Sequence, residues 1–327
     1  MNFDWGELAF GSKKPVNSLN ATFIAAPRAI SGERFKQLVK TYLPKGNIVL
    51  GIAQEDYVIG FENQPQFKML RTSAVQGIID KVNTASKKYK IYTLQYFQRE
   101  TKYIFEKLDF TKILLINGSW QLSFHHTPNY YALASRHKDY ELISPFASEA
   151  EALAYDKWAN KEFDKRLTDI LPAKGYFTET EMLELAREVA KCSFDYTYQA
   201  GVVLGKKTAK GYKLVAWSFN RVVPYQTYAM HHGSLREKNF SPANDLNFYD
   251  TVHAETELLI KTGKQKIDLA GTTMFINLLP CPTCGRMLAE TDIAEVVYSV
   301  DHSDGYTLNI FERSGKKTRR IVLKPTT

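Results

Sequence analysis

The chain has 327 residues, of which 44% are hydrophobic, 24% are charged and 13% are aromatic. This length predicts two domains, and the apolar fraction is sufficient for packed cores. No apolar run is long enough to cross a membrane, and the first residues lack the basic and apolar zones of a signal peptide. We therefore expect neither a membrane anchor nor a secretory leader.

The formal net charge is +8, and it is unevenly distributed. Residues 1–177 hold 24 basic and 18 acidic side chains, whereas residues 178–327 hold 19 and 17. The basic excess favours anionic partners such as nucleotides or nucleic acid, although ordinary solubility explains a charge of this size equally well. The chain has three cysteines, two of them in a metal-type pair, which fits a reducing environment and predicts a cytoplasmic protein.

The first half of the sequence alternates short apolar runs with helical patterns. Strands separated by helices predict an α/β domain with a mostly parallel sheet. Asn117-Gly118 is a hairpin turn signal, so residues 120–124 are expected to return as an antiparallel edge strand. The predicted strands are 21–26, 47–53, 91–97 and 111–116, and the predicted helices are 31–43, 70–88 and 149–171.

No glycine-rich phosphate loop occurs in this half, so its role is left open. Pro172-Ala173-Lys174-Gly175 ends the long helix and is the best candidate linker. The sequence therefore predicts an N-terminal α/β domain at 1–177, closed by a linker helix, and a second domain at 178–327.

The second domain opens with a capping-box pattern, because Thr178 is followed three positions later by Glu181. The helix after it, 181–194, directs Cys192 toward a core as a small buried hydrophobic residue. The remaining predicted strands are 201–205, 214–219, 273–279, 296–300 and 320–323, with helices beginning at 253, 281 and 308.

Two short motifs in this domain predict a metal site. Residues 253–255 (His-Ala-Glu) begin one helix, and residues 280–284 (Pro-Cys-Pro-Thr-Cys) begin the next. Cys281 and Cys284 stand three positions apart, so a helix places both sulfurs on one face, in a first turn that favours thiolate. With His253 they supply three of the four ligands that zinc prefers, which leaves one position for water.

Glu255 is the expected general acid and base beside that water. The neighbouring Glu257 points elsewhere on a helix and is interpreted as a structural or solvated residue. The alternatives are a structural zinc site or two unrelated buried cysteines. A structural site usually has four protein ligands, and nothing in the sequence places His302 as the fourth.

The His-x-Glu and Pro-Cys-x-x-Cys pair is the signature of zinc-dependent nucleobase deaminases. Residues 178–327 resemble the cytidine deaminase-like superfamily, which implies a three-layer αβα domain and zinc as the cofactor. The predicted helix between the last two strands resembles the arrangement in the deoxycytidylate, tRNA adenosine and nucleic-acid-editing branches of that superfamily. The resemblance also implies a homo-oligomer.

The resemblance extends to candidate substrate contacts. Asn220 stands where deoxycytidylate deaminases carry Gly-Tyr-Asn-Gly, whose asparagine contacts the sugar, but here only the asparagine of that motif is present. Ala254 is placed among the substrate contacts as well. The long segment after Asn220 resembles a pocket-shaping insertion, so Arg236 and Lys238 are expected to meet a substrate phosphate.

Two functions follow from these features. The first is a deaminase that converts cytosine to uracil in a free nucleotide similar to deoxycytidine monophosphate, with release of ammonia. The alternative is a DNA- or RNA-editing deaminase of cytosine or adenine, in which the basic N-terminal domain holds the strand through aromatic residues such as Tyr92, Tyr96 and Phe97. A riboflavin-pathway or guanine deaminase and a catalytically silent nucleotide sensor are further readings, because the metal motif alone does not select the base.

Overall fold

The computed structural model describes residues 2–3, 19–171, 175–243, 245 and 247–323. Residues 172–174 of the predicted linker therefore lie outside the described residues. The chain forms two compact units. The N-terminal unit comprises Met1–Asp156 and Thr227–Tyr249, and the C-terminal unit comprises Lys157–Gln226 and Asp250–Thr327.

These units differ from the expected division after residue 177. The long helix contributes to both units, and the segment Thr227–Tyr249 packs with the N-terminal one although it interrupts the sequence of the other. The cause is a set of long-range hydrogen bonds that sequence periodicity does not report.

The N-terminal unit is an alternation of strands and helices that matches the predicted pattern. Its elements in chain order are β1 (Asn2–Phe3), β2 (Leu19–Ala25), α1 (Gly32–Tyr42), β3 (Asn47–Ala53), α2 (Thr72–Ala85), β4 (Ile91–Tyr96), α3 (Thr101–Lys107), β5 (Phe110–Ile116), α4 (Pro128–Ala134), β6 (Tyr140–Ile143) and α5 (Glu149–Ile170), which continues into the other unit.

Its six strands form one sheet in the order β1-β4-β3-β2-β5-β6. Every adjacent pair in the described sheet is parallel. The chain proceeds from β2 outward to β4 on one side and then returns to β5 and β6 on the other, which is a doubly wound topology. The mostly parallel sheet is confirmed, whereas the predicted antiparallel edge is wrong.

The reason for that error lies in the turn after β5. Gly118 has a positive φ of 73° and supports a tight turn, as its sequence indicates. The chain then does not pair back, because β5 is an interior strand that already lies between β2 and β6. Trp120 instead packs its ring against Phe124 at a centroid distance of 4.9 Å, and residues 120–124 form no strand in this described stretch.

Helices cover both faces of this sheet, because successive strand residues point to opposite sides. The face covered by α1 and α2 buries Ile24, Ile48, Leu50, Leu114 and Ile116 against Phe35, Leu38, Val75 and Ile79. The opposite face, covered by α3 and α4, buries Phe23, Val49, Leu94, Ile113 and Leu115 against Ile104, Phe105, Ala132 and Leu133.

The C-terminal unit also follows the predicted order of elements. Chain order continues with α6 (Glu179–Ala190), β7 (Gly201–Thr208), β8 (Gly211–Phe219), β9 (Arg221–Val222), α7 (Tyr228–His232), α8 (Leu235–Lys238), β10 (Thr251–Val252), α9 (Ala254–Gln265), β11 (Thr272–Leu278), α10 (Pro282–Ala289), β12 (Glu295–Val300), α11 (Tyr306–Arg313) and β13 (Lys317–Arg320). Of these, α7 and α8 belong to the N-terminal unit.

Its five strands form a mixed sheet in the order β13-β12-β11-β7-β8. The strands β11, β12 and β13 are parallel, whereas β7 is antiparallel to β11 and to β8. The core on one face joins this sheet to α9, α10 and α11 through Leu258, Leu288 and Phe311. The helix α6 packs on the other face, so the predicted three-layer αβα architecture is confirmed.

A capping box fixes the start of helix α6, and a glycine in β7 allows the helix to pack closely on the sheet. Thr178 accepts a hydrogen bond from Glu181 N, and the Glu181 side chain accepts one from Thr178 N, which confirms the capping box. Gly201 lies directly under this helix. A Cβ atom added there would stand 2.1 Å from the carbonyl oxygen of Ala186, so only glycine permits the approach.

Within the described part of the chain, every helix is too short or too polar to cross a bilayer.

Candidate metal centre

Two helix N-termini present the predicted metal ligands. His253 is the N-cap of α9, and Cys281 is the N-cap of α10, whose first residue is Pro282. The helix therefore begins one residue after the predicted start, because Cys281 keeps extended backbone angles. Cys284 lies in the first turn of α10, where unpaired backbone N–H groups favour a thiolate.

These three side chains converge. His253 Nδ1 lies 3.6 Å from Cys281 Sγ and 3.3 Å from Cys284 Sγ. Among the described residues, these three form the group of candidate metal ligands that the fold brings together. Their ligand atoms all lie within 4.8 Å of one another. In a tetrahedral zinc site, ordinary Zn–N and Zn–S lengths put a nitrogen and a sulfur ligand about 3.6 Å apart. The observed spacing therefore fits zinc with an open fourth position.

The electrostatics of the cluster favour metal binding. The hydrogen bond from the Cys284 thiol lowers the pKa of Cys281 well below its ordinary value, and the nearby imidazole of His253 adds to this effect. The lowered pKa favours the thiolate form of Cys281, which is the form that zinc binds.

Glu255 lies on the same helix as His253 and is only 4% exposed. Burial raises the pKa of its carboxyl group, although the charge of His253 partly opposes this effect. A raised pKa brings a carboxyl group closer to the working pH, which suits a residue that takes up and releases protons. Glu257, in contrast, forms a partly exposed ion pair, with its Oε1 3.8 Å from Arg221 Nη2. This contact fits the interpretation of Glu257 as a structural or solvated residue.

Close helix packing fixes the loop that carries Cys281. Thr307 on α11 donates a hydrogen bond to the Pro280 carbonyl oxygen at 2.7 Å. A Cβ atom on Gly285 would stand 2.4 Å from the Thr307 side chain, so a glycine at this position lets α10 and α11 touch. The two helices therefore hold the cysteine pair against movement.

Asn220 is buried, and all the polar atoms of its amide are hydrogen-bonded within the protein. Its Oδ1 accepts a hydrogen bond from Ala200 N at 2.9 Å, and its Nδ2 donates to Tyr198 O at 2.8 Å and to Asp195 Oδ2 at 3.2 Å. The amide thus shapes the turn 195–200. Its contact with a sugar stays a prediction.

Asp195 and Tyr198 in this turn are site residues that sequence reasoning missed. Asp195 Oδ1 accepts backbone hydrogen bonds from Thr197 and Tyr198. Burial opposes the raised pKa of His253, whereas the hydrogen bond with Cys281 and, to a smaller extent, the charge of Asp195 raise it. The Tyr198 ring stands edge-on to His302, with 6.4 Å between the centroids. The loop of His302 adjoins the loop of Cys281, because Leu279 N donates a hydrogen bond to Val300 O at 2.8 Å.

His302 is half-buried, and this burial lowers its pKa. It is absent from the ligand cluster found among the described residues. A topological signal could have placed it near the site. The strands β11 and β12 are parallel neighbours, so the loops after their carboxyl ends, which carry Cys281 and His302, meet at one edge of the sheet.

The other predicted substrate contacts lie in two environments. Ala254 is fully buried, and its carbonyl oxygen accepts a hydrogen bond from Ser218 Oγ at 2.7 Å. Arg236 and Lys238 lie on α8 in the N-terminal unit. The buried guanidinium of Arg236 donates to Asp245 O at 2.8 Å, whereas Lys238 is exposed. Their phosphate contacts stay predictions.

Cys192 is fully buried in the C-terminal unit, as predicted, and burial raises the pKa of its thiol to about 12. It is therefore a packing residue.

Residues 178–300 match the family described as the cytidine and deoxycytidylate deaminase zinc-binding region. Zinc is accordingly the metal of this domain. The chain is 26% identical to the deoxycytidylate deaminase of Enterobacteria phage T4 over 110 residues, which cover 32% of this chain and 51% of that protein. It is 22% identical to the deoxycytidylate deaminase of Saccharomyces cerevisiae over 162 residues, or 49% of this chain and 50% of that protein.

The chain thus spans about half the length of these relatives. Among solved structures, it resembles the apo form of the dCMP deaminase from cyanophage S-TIM5. The sequence identity is 18%, the TM-score is 0.32, and the match covers 44% of this chain and 96% of that one.

Proposed function

We propose that this chain, whose residues 178–300 form a domain of the cytidine deaminase-like superfamily, is a zinc-dependent hydrolytic deaminase of a free nucleotide. It would convert a cytosine base to uracil and release ammonia, with deoxycytidine monophosphate or a close relative as substrate. The observation that carries this proposal is the position of His253 Nδ1 within 3.6 Å of both cysteine sulfurs, with a buried carboxyl group on the helix that follows the histidine.

The reaction needs a water oxygen at C4 of the ring and two proton deliveries. Water adds to C4, one of its protons goes to N3 and the other to the exocyclic nitrogen, and the bond from C4 to that nitrogen breaks as ammonia leaves. Glu255 is suited to take both protons from water and to deliver them in turn, because its carboxyl group is buried on the helix that follows His253 and burial raises its pKa.

His253, Cys281 and Cys284 would hold the zinc ion, which when bound supplies the Lewis acidity that makes water nucleophilic at neutral pH. The protein's own contribution is to fix the ligands on two rigid helix N-termini and to keep Glu255 out of bulk water. The edge-on pair Tyr198 and His302 adds two rings near the ligands, where an aromatic base can pack.

The similarity to deoxycytidylate deaminases supports a nucleotide substrate, and Asn220 is proposed as its sugar contact. The phosphate contacts of Arg236 and Lys238, a homo-oligomeric state and a cytoplasmic location stay predictions.

Nucleic-acid editing receives less support from the structure. Of the aromatic residues named for strand binding, Tyr96 is only 2% exposed and Tyr92 packs against the core. Phe97 is exposed to 44%, and Arg99 covers its ring at 4.9 Å. A stacking platform needs several exposed rings in succession, which this strand lacks among its described residues.

A substrate panel tests the proposed function. The zinc-loaded full chain would be incubated with cytidine, deoxycytidine, their mono- and triphosphates, guanine, and a single-stranded oligonucleotide that contains cytosine. Ammonia release and the absorbance change from cytosine to uracil would be followed, with Glu255→Ala as the inactive control. We expect turnover of deoxycytidine monophosphate. Activity on the oligonucleotide alone would favour editing, and no activity on any cytosine substrate would refute the proposal.

A further inference from the structure

The inference concerns the carboxyl edge of the parallel sheet in the N-terminal unit. The strands β2 and β5 are neighbours, but the connections that leave them run in opposite directions. The crevice at such a switch point is the place where doubly wound sheets bind their ligands. Arg28 follows β2 and Asn117 follows β5. Arg28 N donates a hydrogen bond at 3.2 Å to Ser119 Oγ in the β5 loop, so the two loops are joined.

In this structure the crevice holds a segment of the same chain. We call residues 227–249, which include α7 and α8, the head segment. Met230 on α7 is fully buried at the switch point. Its carbonyl oxygen accepts a hydrogen bond from Asn117 Nδ2 at 3.0 Å, and its sulfur contacts the Arg28 guanidinium, which also donates to Gln66 O. Two loops of the N-terminal unit thus hold Met230, and a third loop holds Arg28 in place through Gln66 O.

Further contacts hold the rest of the head segment to the same unit. Glu237 on α8 is 6% exposed, and its Oε1 accepts a hydrogen bond from Phe124 N at 3.0 Å. His125 Nε2 lies 2.9 Å from Ser241 O. A buried carboxylate that accepts a backbone hydrogen bond is a strong contact, because its removal leaves the buried backbone N–H without this partner.

The beginning of the head segment is attached in the same way. His231 Nδ1 lies 2.7 Å from Ser144 Oγ, in the loop after β6, and Thr227 Oγ1 donates to Ala152 O on α5 at 2.9 Å. The anchors therefore extend from the first residue of the segment to Ser241.

The two ends of the head segment continue into a short ribbon that adjoins the metal site. The strands β9 and β10, which we call the neck, pair antiparallel, and Val223 N donates to Asp250 O at 2.9 Å. Asn220 directly precedes β9, and His253 directly follows β10. Thr251 Oγ1 lies 3.5 Å from Asp195 Oδ2, the atom that also accepts from Asn220. The neck is therefore built into the site.

We propose that the N-terminal unit is an intramolecular clamp, in which the carboxyl edge of its sheet binds the head segment and thereby fixes the neck that leads to Asn220 and His253. Asn117 and Glu237 are then positioning residues for the metal site. Of the tests of this positioning role, only the kinetic measurement depends on the proposed function. It gives the N-terminal unit a task that requires no ligand of its own.

The test compares Glu237→Ala with Glu237→Gln in the full zinc-loaded chain. The amide retains an acceptor oxygen for Phe124 N, so Glu237→Gln should rescue what Glu237→Ala loses, and Lys40→Ala on the exposed face of α1 is the neutral control. Hydrogen exchange read by mass spectrometry should rise about tenfold or more at residues 227–249 in Glu237→Ala, since the hydrogen bond to Phe124 N is lost. Exchange at 250–258 should rise with it.

The kinetic readout is a fall in kcat/KM for deoxycytidine monophosphate in Glu237→Ala, with an unchanged pH profile and near wild-type values in Glu237→Gln. Faster exchange at 227–249 without any change at 250–258, in zinc content or in kcat/KM would overturn the clamp. So would exchange at 227–249 that the substitution leaves unaltered.

A measurement on the unaltered chain covers the case in which Glu237→Ala does not fold. In native-state exchange with increasing urea, amides of 227–249 and 250–258 should open in one step with a shared denaturant dependence. Independent opening of the two stretches would refute the coupling. If the wild type deaminates no nucleotide, the proposed function fails, while the exchange data still decide on the clamp.

Discussion

Replacement of Glu255 by glutamine separates catalysis from metal binding. The substitution keeps the shape of the side chain and removes the group that carries protons. It leaves His253, Cys281 and Cys284 in place, so we expect a wild-type zinc content. Because Glu255 is only 4% exposed, solvent water has little access to the position of the lost carboxylate. The full contribution of general acid and base catalysis should therefore be lost.

That contribution is typically 10²- to 10⁴-fold, or about 3–5 kcal/mol in the activation barrier. We expect kcat to fall by this factor, with little change in KM, since the carboxyl group acts on the transferred protons. The assay follows ammonia release from deoxycytidine monophosphate under saturating conditions, together with zinc analysis of the same sample.

The matched control is Glu257→Gln, two positions further along α9. Glu257 is partly exposed and lies 3.8 Å from Arg221 in an ion pair of the kind that contributes little to stability. Its replacement should leave both kcat and zinc content close to those of the wild type. Turnover by Glu255→Gln within a factor of a few of the control would refute the assigned proton-transfer role.

Three further predictions concern the metal and the stability of the C-terminal unit. Cys284→Ser should lose most of its zinc, since a serine hydroxyl is a poor zinc ligand, and a stoichiometric metal content would contradict the ligand assignment. Gly201→Ala should lower the free energy of unfolding by about 1–3 kcal/mol or more in urea titrations, because the added Cβ meets a backbone carbonyl oxygen at 2.1 Å. Gly263→Ala, in a helix with no described atom within 4 Å of the added Cβ, should instead stabilise by about 0.5–1 kcal/mol, and equal effects would refute the packing argument. The Arg319 guanidinium lowers the pKa of Glu179 from 4.5 to about 2, so this pair stabilises the fold above about pH 4.5 and the benefit disappears as the pH falls toward 2. Glu179→Gln should flatten the pH dependence of stability in that window, and an unchanged slope would show that the pair is not coupled to folding.

The parallel strands and most helices could be predicted because their signals are local. A buried strand such as β3 is a continuous apolar run, and its bounds were predicted to the residue. The helix α1 was predicted because Phe35, Leu38 and Val39 recur at helical spacing and are all buried. In each case the sequence pattern and the burial have the same physical origin.

The errors arise where a local signal competes with tertiary structure. Asn117-Gly118 has the sequence of a hairpin turn, yet the strand before it is already paired on both sides. The elements α3, α4 and β6 were missed because they are only seven, seven and four residues long. The attachment of the head segment was beyond sequence reasoning, since the hydrogen bond from Asn117 to Met230 joins residues 113 positions apart.

The metal cluster could be predicted from the sequence, whereas the substrate pocket could not. Ligand chemistry restricts which side chains can serve, so the spacing of one histidine and two cysteines predicts a cluster before any coordinates exist. Substrate contacts depend on loops, and loop conformations are set by their own hydrogen bonds. Tyr198 therefore carries no sequence signature, and His302 could be placed only from the parallel pairing of β11 with β12.

Asn220 shows how the structure narrows a role that the sequence only suggests. Both hydrogens of its Nδ2 are directed at Tyr198 O and Asp195 Oδ2, and its Oδ1 already accepts one bond from Ala200 N. An amide oxygen has a second lone pair, whereas its nitrogen has no further hydrogen to give. If Asn220 contacts a sugar, it therefore does so by accepting a hydrogen bond from a hydroxyl group. A donor role would require the turn 195–200 to release one of its bonds, and that turn carries Asp195 and Tyr198 beside the metal ligands.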